Sequence, residues 1–285
     1  MSHDSQVCEL GEGALWHPLR RQLFWFDILG KRLHSIEDGV PRSWGFVEMV
    51  SAAGWVSRDV LLIAGERDLF LFDLETEEIE TVAELEADDP GTRSNDGRAD
   101  RQGGFWIGTM GKRGGDDPRR GSIWRWYRGE LRRLFSGLTI PNSICFSPDG
   151  RFAHFSDTLT HRIQRVALDH NGWPVGEPET FIDLSAEGIL PDGAVVDAAG
   201  NLWNAQWGTG RVACYAPDGR FLKAVAMGAS QTSCPAFGGD GLSTLYCTSA
   251  REGMDAAALA ADPEAGKTFA VQGLGPGLPE PQVIL

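Results

Sequence analysis

A chain of 285 residues that is 42% hydrophobic can bury a sizeable core, and its 23% charged residues suit an ordinary globular surface. The formal net charge of −14 excludes a nucleic-acid backbone or an anionic membrane surface as the main partner, because both demand positive charge. No apolar run approaches the roughly 20 residues of a membrane-spanning helix.

Residues 1–10 have neither the basic start nor the apolar centre of a secretory signal. Cys8, Cys145, Cys214, Cys234 and Cys247 are odd in number, widely spaced and without a Cys-x-x-Cys pair. They read as buried, reduced thiols of a soluble, cytoplasmic protein. Nothing in the sequence specifies an oligomeric state.

In chain order, the dominant signal is short aromatic and β-branched runs bounded by Asp-Gly, Gly-Gly and Pro-Asp-Gly turns. Residues 12–16 lead to 23–27 and 32–36; 51–55 lead to 60–64 and 69–72. Asn95 leads to 104–108 and 122–126, and Asn142 to 152–156 and 163–166. Asp192 leads to 201–205 and 211–215, and 233–237 lead to 244–248 and 267–271. Six units repeating every 40–50 residues predict an all-β chain. Its form is a six-bladed β-propeller with four-stranded blades around a central channel, a single domain over residues 1–285. Either Val7-Cys8-Glu9 or Gln282-Val283-Ile284 is expected to supply the strand that closes the last blade. Residues 254–264 are Ala-rich and read as a short helix. The loop over residues 111–121 reads as a solvated connection or a rim over the channel. The stretch from Gly273 to Gly277 lacks the strand-turn-helix context of a phosphate loop and reads as a turn.

Three polar stretches stand in register with this repeat. They are Arg93-Ser94-Asn95-Asp96-Gly97, Ile140-Pro141-Asn142-Ser143 and Leu190-Pro191-Asp192-Gly193. Each reads as a turn before an innermost strand, and Asn95, Asn142 and Asp192 fall at intervals of 47 and 50 residues. Pro148-Asp149-Gly150 and Pro217-Asp218-Gly219 lie out of this phase and read as plain hairpin turns. A propeller turns regular sequence spacing into a ring in space. Glu12, Asn95, Asn142 and Asp192 are therefore expected to face one mouth of the channel.

Glu12, Asn142 and Asp192 offer only oxygen, which suits one divalent metal ion. Ca²⁺ and Mg²⁺ prefer such ligands, and Zn²⁺, Mn²⁺ or Fe²⁺ accept them. Three protein ligands leave positions for water and substrate. Asp192 can also act as a general base. Arg93 and Asn95 are expected to contact substrate, while Asp96-Gly97 reads as a turn. His17 reads as packing. Trp25, Trp106 and Trp203 recur at similar points and read as inter-blade packing, while Trp16 and Trp207 are left open between packing and the channel mouth.

At these residues the sequence resembles the SMP-30/gluconolactonase/LRE-like family of regucalcin-like sugar lactonases. The matching stretches include Leu10-Gly11-Glu12-Gly13-Ala14-Leu15-Trp16, Arg93-Ser94-Asn95-Asp96-Gly97, Gly104-Phe105-Trp106-Ile107-Gly108, Ile140-Pro141-Asn142-Ser143, Pro191-Asp192-Gly193 and Cys234-Pro235-Ala236-Phe237-Gly238-Gly239. The resemblance implies a metal held by Glu12, Asn142 and Asp192, with Asp192 as base, Asn95 near the metal and Arg93 on the substrate. It implies hydrolysis of a sugar lactone to its aldonic acid. Two departures stand out: Ser143 replaces the usual glycine after the ligand Asn, and the 111–121 loop lacks the acidic substrate contact of some members. Two other functions compete with this one, a non-catalytic calcium-binding regulatory propeller and a phosphotriesterase or aryl esterase on the same scaffold.

Overall fold

The computed structural model describes residues Met1–Leu285. The chain forms a six-bladed β-propeller, each blade an antiparallel meander. Blade 1 holds β1 (Gly11–His17), β2 (Gln22–Asp27), β3 (Arg32–Glu37) and β4 (Val40–Gly45). Blade 2 holds β5 (Val50–Trp55), β6 (Val60–Gly65), β7 (Asp68–Asp73) and β8 (Ile79–Glu84). Blade 3 holds β9 (Thr92–Ala99), β10 (Phe105–Gly111), β11 (Gly121–Tyr127) and β12 (Glu130–Leu138). Blade 4 holds β13 (Pro141–Phe146), β14 (Phe152–Asp157), β15 (Arg162–Leu168) and β16 (Pro174–Asp183). Blade 5 holds β17 (Leu190–Val196), β18 (Leu202–Trp207), β19 (Arg211–Tyr215) and β20 (Phe221–Ala226). Blade 6 holds β21 (Thr232–Gly238), β22 (Thr244–Ser249) and β23 (Phe269–Val271). The first strands contact one another in a closed circle, β1–β5–β9–β13–β17–β21 and back to β1.

The closing strand differs from both sequence candidates. Residues 1–3 run antiparallel to β23, through a bridge from Ser2 to Phe269 and backbone bonds from His3 to Thr268 and from Ala270 to Met1. Val7-Cys8-Glu9 instead passes between blade 6 and blade 1, where Cys8 N–H reaches Gly266 O at 2.8 Å. Gln282-Val283-Ile284 lies beneath the ring, with Val283 bonded to Trp55 and Ile284 to Gly103. Three residues of backbone pairing leave no alternating pattern, so this closing segment carries no strand signature in the sequence. The helix expected over 254–264 is shorter, α1 (Ala256–Ala261), capped by the Asp255 carboxylate.

Six of the seven apolar clusters of the core fill the gaps between blades, one in each, and the seventh joins Leu10 before β1 to Ile28 and Ala250 after β2 and β22. Neighbouring residues of one strand feed different gaps. Leu15 packs against blade 2, whereas Ala14 and Trp16 pack against blade 6. Inner strands are buried on both faces, so they read as apolar runs instead of alternating ones. Trp106 meets Phe146 of the next blade edge-on at 5.4 Å, and Trp203 meets Phe237 at 5.5 Å. Each indole N–H bonds an aspartate six residues earlier, Trp106 to Asp100 and Trp203 to Asp197. Those carboxylates also tie their own turns by accepting backbone N–H groups, which fixes the hairpin and the inter-blade tryptophan together. Trp25 is likewise buried between blades, and Trp16 stacks on Tyr246 across the seam of blades 6 and 1. His17 is buried beside Ser57 and Arg20, away from the channel mouth.

Every inner strand carries a β-bulge at the same height. The ladder slips by one residue between Glu12 and Leu15, Val50 and Ala52, and Ser94 and Gly97. It slips likewise between Asn142 and Cys145, Pro191 and Ala194, and Thr232 and Pro235. The polar stretches read as turns are therefore inside the strands. A bulge needs the same permissive residues as a turn, which is why the two look alike in sequence. Asp96-Gly97 is part of β9, and Asp96 is buried.

Asp100 and Arg125 form a 2.6 Å ion pair with both side chains fully buried. Arg125→Met leaves the Asp100 charge without its partner and is expected to destabilise the fold by about 3–5 kcal/mol in urea titration. The exposed Arg151, paired with Asp149 at 2.6 Å, serves as the control. Its methionine variant is expected to shift stability by less than about 1 kcal/mol.

Candidate active site

The bulges aim side chains from four blades into a cavity of about 400 Å³ at one mouth of the channel. Glu12, Arg93, Asn95, Asn142 and Asp192 all line it. All five are buried, with 4–6% of each residue exposed. Close approach of the strands is built into the glycines that follow two of the donors. Gly13 has φ +57°, and a Cβ there would lie 2.2 Å from Ser51 O. A Cβ on Gly193 would lie 2.8 Å from Ser233 O and 2.9 Å from Cys234 Cα. Ser143 holds the equivalent left-handed backbone with φ +59° despite its side chain. Its hydroxyl offsets that strain by donating to Asp192 O at 2.5 Å and accepting from Ser156 Oγ at 3.0 Å. A serine in place of the usual glycine thus ties the strand of Asn142 to the strand of Asp192.

One chain of hydrogen bonds fixes the orientation of the polar side chains. Arg93 can only donate, and its Nη1 bonds Asn95 Oδ1 at 2.8 Å. Asn95 must then turn its Nδ2 toward Asn142 Oδ1, at 3.1 Å. Asn142 Nδ2 points the other way and donates to Thr158 Oγ1 at 2.9 Å. Thr158 passes its proton to Pro191 O at 2.9 Å. The polarity of two carboxamides across three blades follows from one guanidinium. Asn142 Oδ1 keeps a lone pair for another partner.

The channel holds an excess of buried negative charge. Glu12, Asp96, Asp192 and Glu280 are buried there, against the guanidinium groups of Arg93 and Arg98. Arg98 is paired with Glu280. Burial raises both Glu12 and Asp192 well above the usual carboxylate range. The charge of Asp96 pushes Glu12 further up, as does that of Glu12 on Asp192. Asp96 is pushed up to about 6 by burial, against the pull of the Ile144 N–H that bonds it at 2.7 Å. Were all four carboxyl groups ionised, they would exceed the two guanidinium groups by two negative charges, and the raised pKa values of Glu12, Asp96 and Asp192 are the cost of burying charge without compensation. With two carboxylates and a carboxamide oxygen facing the cavity, the donor set fits a hard dication.

Thr158, Leu159 and Glu252 line the cavity without any motif in the sequence, beside Trp207, which the sequence left open, and Lys112 to Gly115 of the loop read as a connection or rim. Thr158 and Leu159 follow β14, Trp207 ends β18, Lys112 to Gly115 follow β10, and Glu252 follows β22. They share one origin, the connection after the second strand of a blade. In an antiparallel pair the end of the second strand lies beside the start of the first, as Ser156 lies opposite Asn142 and Met110 opposite Arg93. The 111–121 loop is therefore a rim, and it presents Lys112 and Arg113 to the cavity. Of the two tryptophans left open, Trp207 lines the cavity and Trp16 does not.

Residues 10–251 match the SMP-30/Gluconolactonase/LRE-like region. The chain belongs to the SMP-30/gluconolactonase/LRE-like family. It is 42% identical over 264 residues to a Rhizobium meliloti (strain 1021) protein provisionally named a sugar lactone lactonase, covering 92% of this chain and 89% of that one. It is 39% identical over 272 residues to the L-arabinolactonase of Azospirillum brasilense, covering 92% and 88%. The crystal structure of a calcium-binding protein, regucalcin, from Agrobacterium tumefaciens superposes with a TM-score of 0.97 at 41% identity, over 100% of this chain and 97% of that one. These SMP-30-like relatives match the chain over almost its whole length.

Thr158→Val keeps the side-chain shape and removes both hydrogen bonds that hold Asn142 and Pro191. It is expected to lower dication affinity about 10–100-fold, as the loss of a buried partner to a ligand does. Thr158→Ser is expected to retain it, both read by isothermal titration.

Proposed function

We propose that the protein is a divalent-metal-dependent lactonase that opens an aldono-1,4- or 1,5-lactone to the free aldonic acid. The observation that carries this reading is the convergence of Glu12, Asn142 and Asp192 on one cavity that also holds an unsaturated guanidinium. Glu12, Asn142 and Asp192 would hold the ion. When bound, it supplies Lewis-acid polarisation and lowers the pKa of a coordinated water. The all-oxygen donors suit Ca²⁺ or Mg²⁺ and accept Zn²⁺, Mn²⁺ or Fe²⁺.

The remaining chemistry belongs to the chain's own residues. Arg93 spends Nη1 on Ser94 O and Asn95 Oδ1, at 2.8 Å each. Its other N–H groups are free to bind lactone oxygens and to stabilise charge that develops on the carbonyl oxygen. Asn95 orients Asn142 and sits beside the bound ring. Asp192 accepts the proton of the attacking water. The water oxygen bonds to C1, the C1–ring-oxygen bond breaks, and the proton held by Asp192 passes to the ring oxygen, which becomes a hydroxyl. Met110, Ile140, Leu159, Leu190 and Trp207 form an apolar wall that packs on the sugar's C–H faces and limits water. The product is an anion, and the chain's net charge of −14 favours its release. Five free, buried cysteines fit a reducing, cytoplasmic setting.

A pH-indicator assay over a panel of five- and six-membered aldonolactones tests this reading. Metal-stripped protein is expected to be inactive and to recover when a dication is added back. Asp192→Asn is expected to lose at least about 10²-fold in kcat while its circular dichroism is unchanged. Full turnover by the stripped protein would overturn metal dependence, and no turnover of any lactone with metal restored would leave a binding protein.

A further inference from the structure

Away from the channel mouth, Cys8, Asp27 and His34 bring a thiol sulfur, a carboxylate oxygen and an imidazole nitrogen within 4.8 Å of one another. All three residues are buried, at 1%, 6% and 6% exposure. Cys8 lies in the segment between the closing strand of blade 6 and β1, Asp27 ends β2, and His34 sits in β3.

The hydrogen bonds leave the cluster unfinished. Asp27 Oδ1 accepts from Leu10 and Gly30 N–H, each at 3.0 Å, and is saturated. Asp27 Oδ2 accepts only from Glu9 N–H, at 3.0 Å, and keeps a lone pair. His34 stacks on Trp25 at 5.7 Å, and its buried Nδ1 has no partner. A buried polar atom without a partner is rare in a folded protein, and an ion is one of the few things that satisfies it. Burial holds the imidazole neutral, with its pKa lowered to about 4, which is the form that ligates a metal.

We propose that Cys8, Asp27 and His34 form a second, structural site for a borderline-soft dication, Zn²⁺ foremost, that fastens the N-terminal closing segment to blade 1. Sulfur, nitrogen and oxygen donors together select Zn²⁺ over Ca²⁺ or Mg²⁺, unlike the all-oxygen channel mouth. Binding converts the Cys8 thiol to a thiolate and releases its proton. Thiolate and carboxylate then neutralise the ion. The position has a structural logic. Residues 1–3 close blade 6 and residues 11–17 open blade 1, so a metal held by Cys8 and by two strands of blade 1 staples the ring at its seam. The inference does not depend on the lactonase reading.

The test uses Co²⁺ as probe on the full chain, purified under reducing conditions and stripped with chelator. Wild type is expected to show a thiolate-to-cobalt charge-transfer band that added Zn²⁺ abolishes. Cys8→Ser is expected to lack the band although four other cysteines remain. The band reports sulfur ligation alone, so it is silent about the oxygen donors of the channel mouth. In a Glu12→Gln background, which weakens the channel-mouth site, Zn²⁺ is expected to raise the melting temperature of the protein with an intact cluster, and not that of the same background carrying Cys8→Ser or His34→Phe. Lactone hydrolysis by Cys8→Ser with metal restored is expected to stay within about twofold of wild type, because the cluster lies outside the cavity. A wild type without the band, or a band of equal strength in Cys8→Ser, overturns the proposal. Should Cys8→Ser fail to fold, His34→Phe and the wild-type spectrum decide it.

Discussion

Unbalanced charge at the hub is the constraint on which the rest of the structure depends. Six first strands must come close enough to enclose a channel, and that closeness buries Glu12, Asp96 and Asp192 together. Carboxylates so placed resist ionisation unless positive charge reaches them. Arg93 supplies part of it, and Arg98 is committed to Glu280. The dication we propose would balance side chains that are each unfavourable alone. The bulges are the means of assembly. One extra residue at the same height recurs in every inner strand, and in β1, β9, β13 and β17 it accompanies a polar side chain that lines the cavity.

The two ends of the chain finish the ring from different sides. Residues 1–3 complete the outer edge of blade 6. The C-terminal residues cross the mouth opposite the cavity. There Gly277 bridges Asp197, Glu280 pairs with Arg98, and Trp55 Nε1 donates to Glu280 O at 2.8 Å. One mouth is thereby covered by the chain itself and the other is left for a ligand.

Much of this was legible in the sequence, because the propeller repeat is a matter of period. Asn95, Asn142 and Asp192 stand in phase with the inner strands, and phase is preserved when the chain folds into a ring. Conformation at those positions was not legible. Bulge and turn call for the same residues, so Asp96-Gly97 and the Pro-Asp-Gly at 191–193 looked like loops although they lie inside β9 and β17. Thr158, Glu252 and Trp207 carry no motif. They reach the cavity through antiparallel pairing, a relation between strands that a one-dimensional pattern does not record. The closing strand was missed because its pairing spans only three residues, and the Cys8–Asp27–His34 cluster because its members come from three separate segments.

Crystals of the full chain soaked with Mn²⁺ and measured for anomalous scattering give the most direct test. The account predicts one anomalous peak at the channel mouth, about 2.0–2.6 Å from carboxylate oxygens of Glu12 and Asp192 and from Asn142 Oδ1. A channel without such a peak under conditions that support turnover, or a peak bound by other side chains, would contradict it.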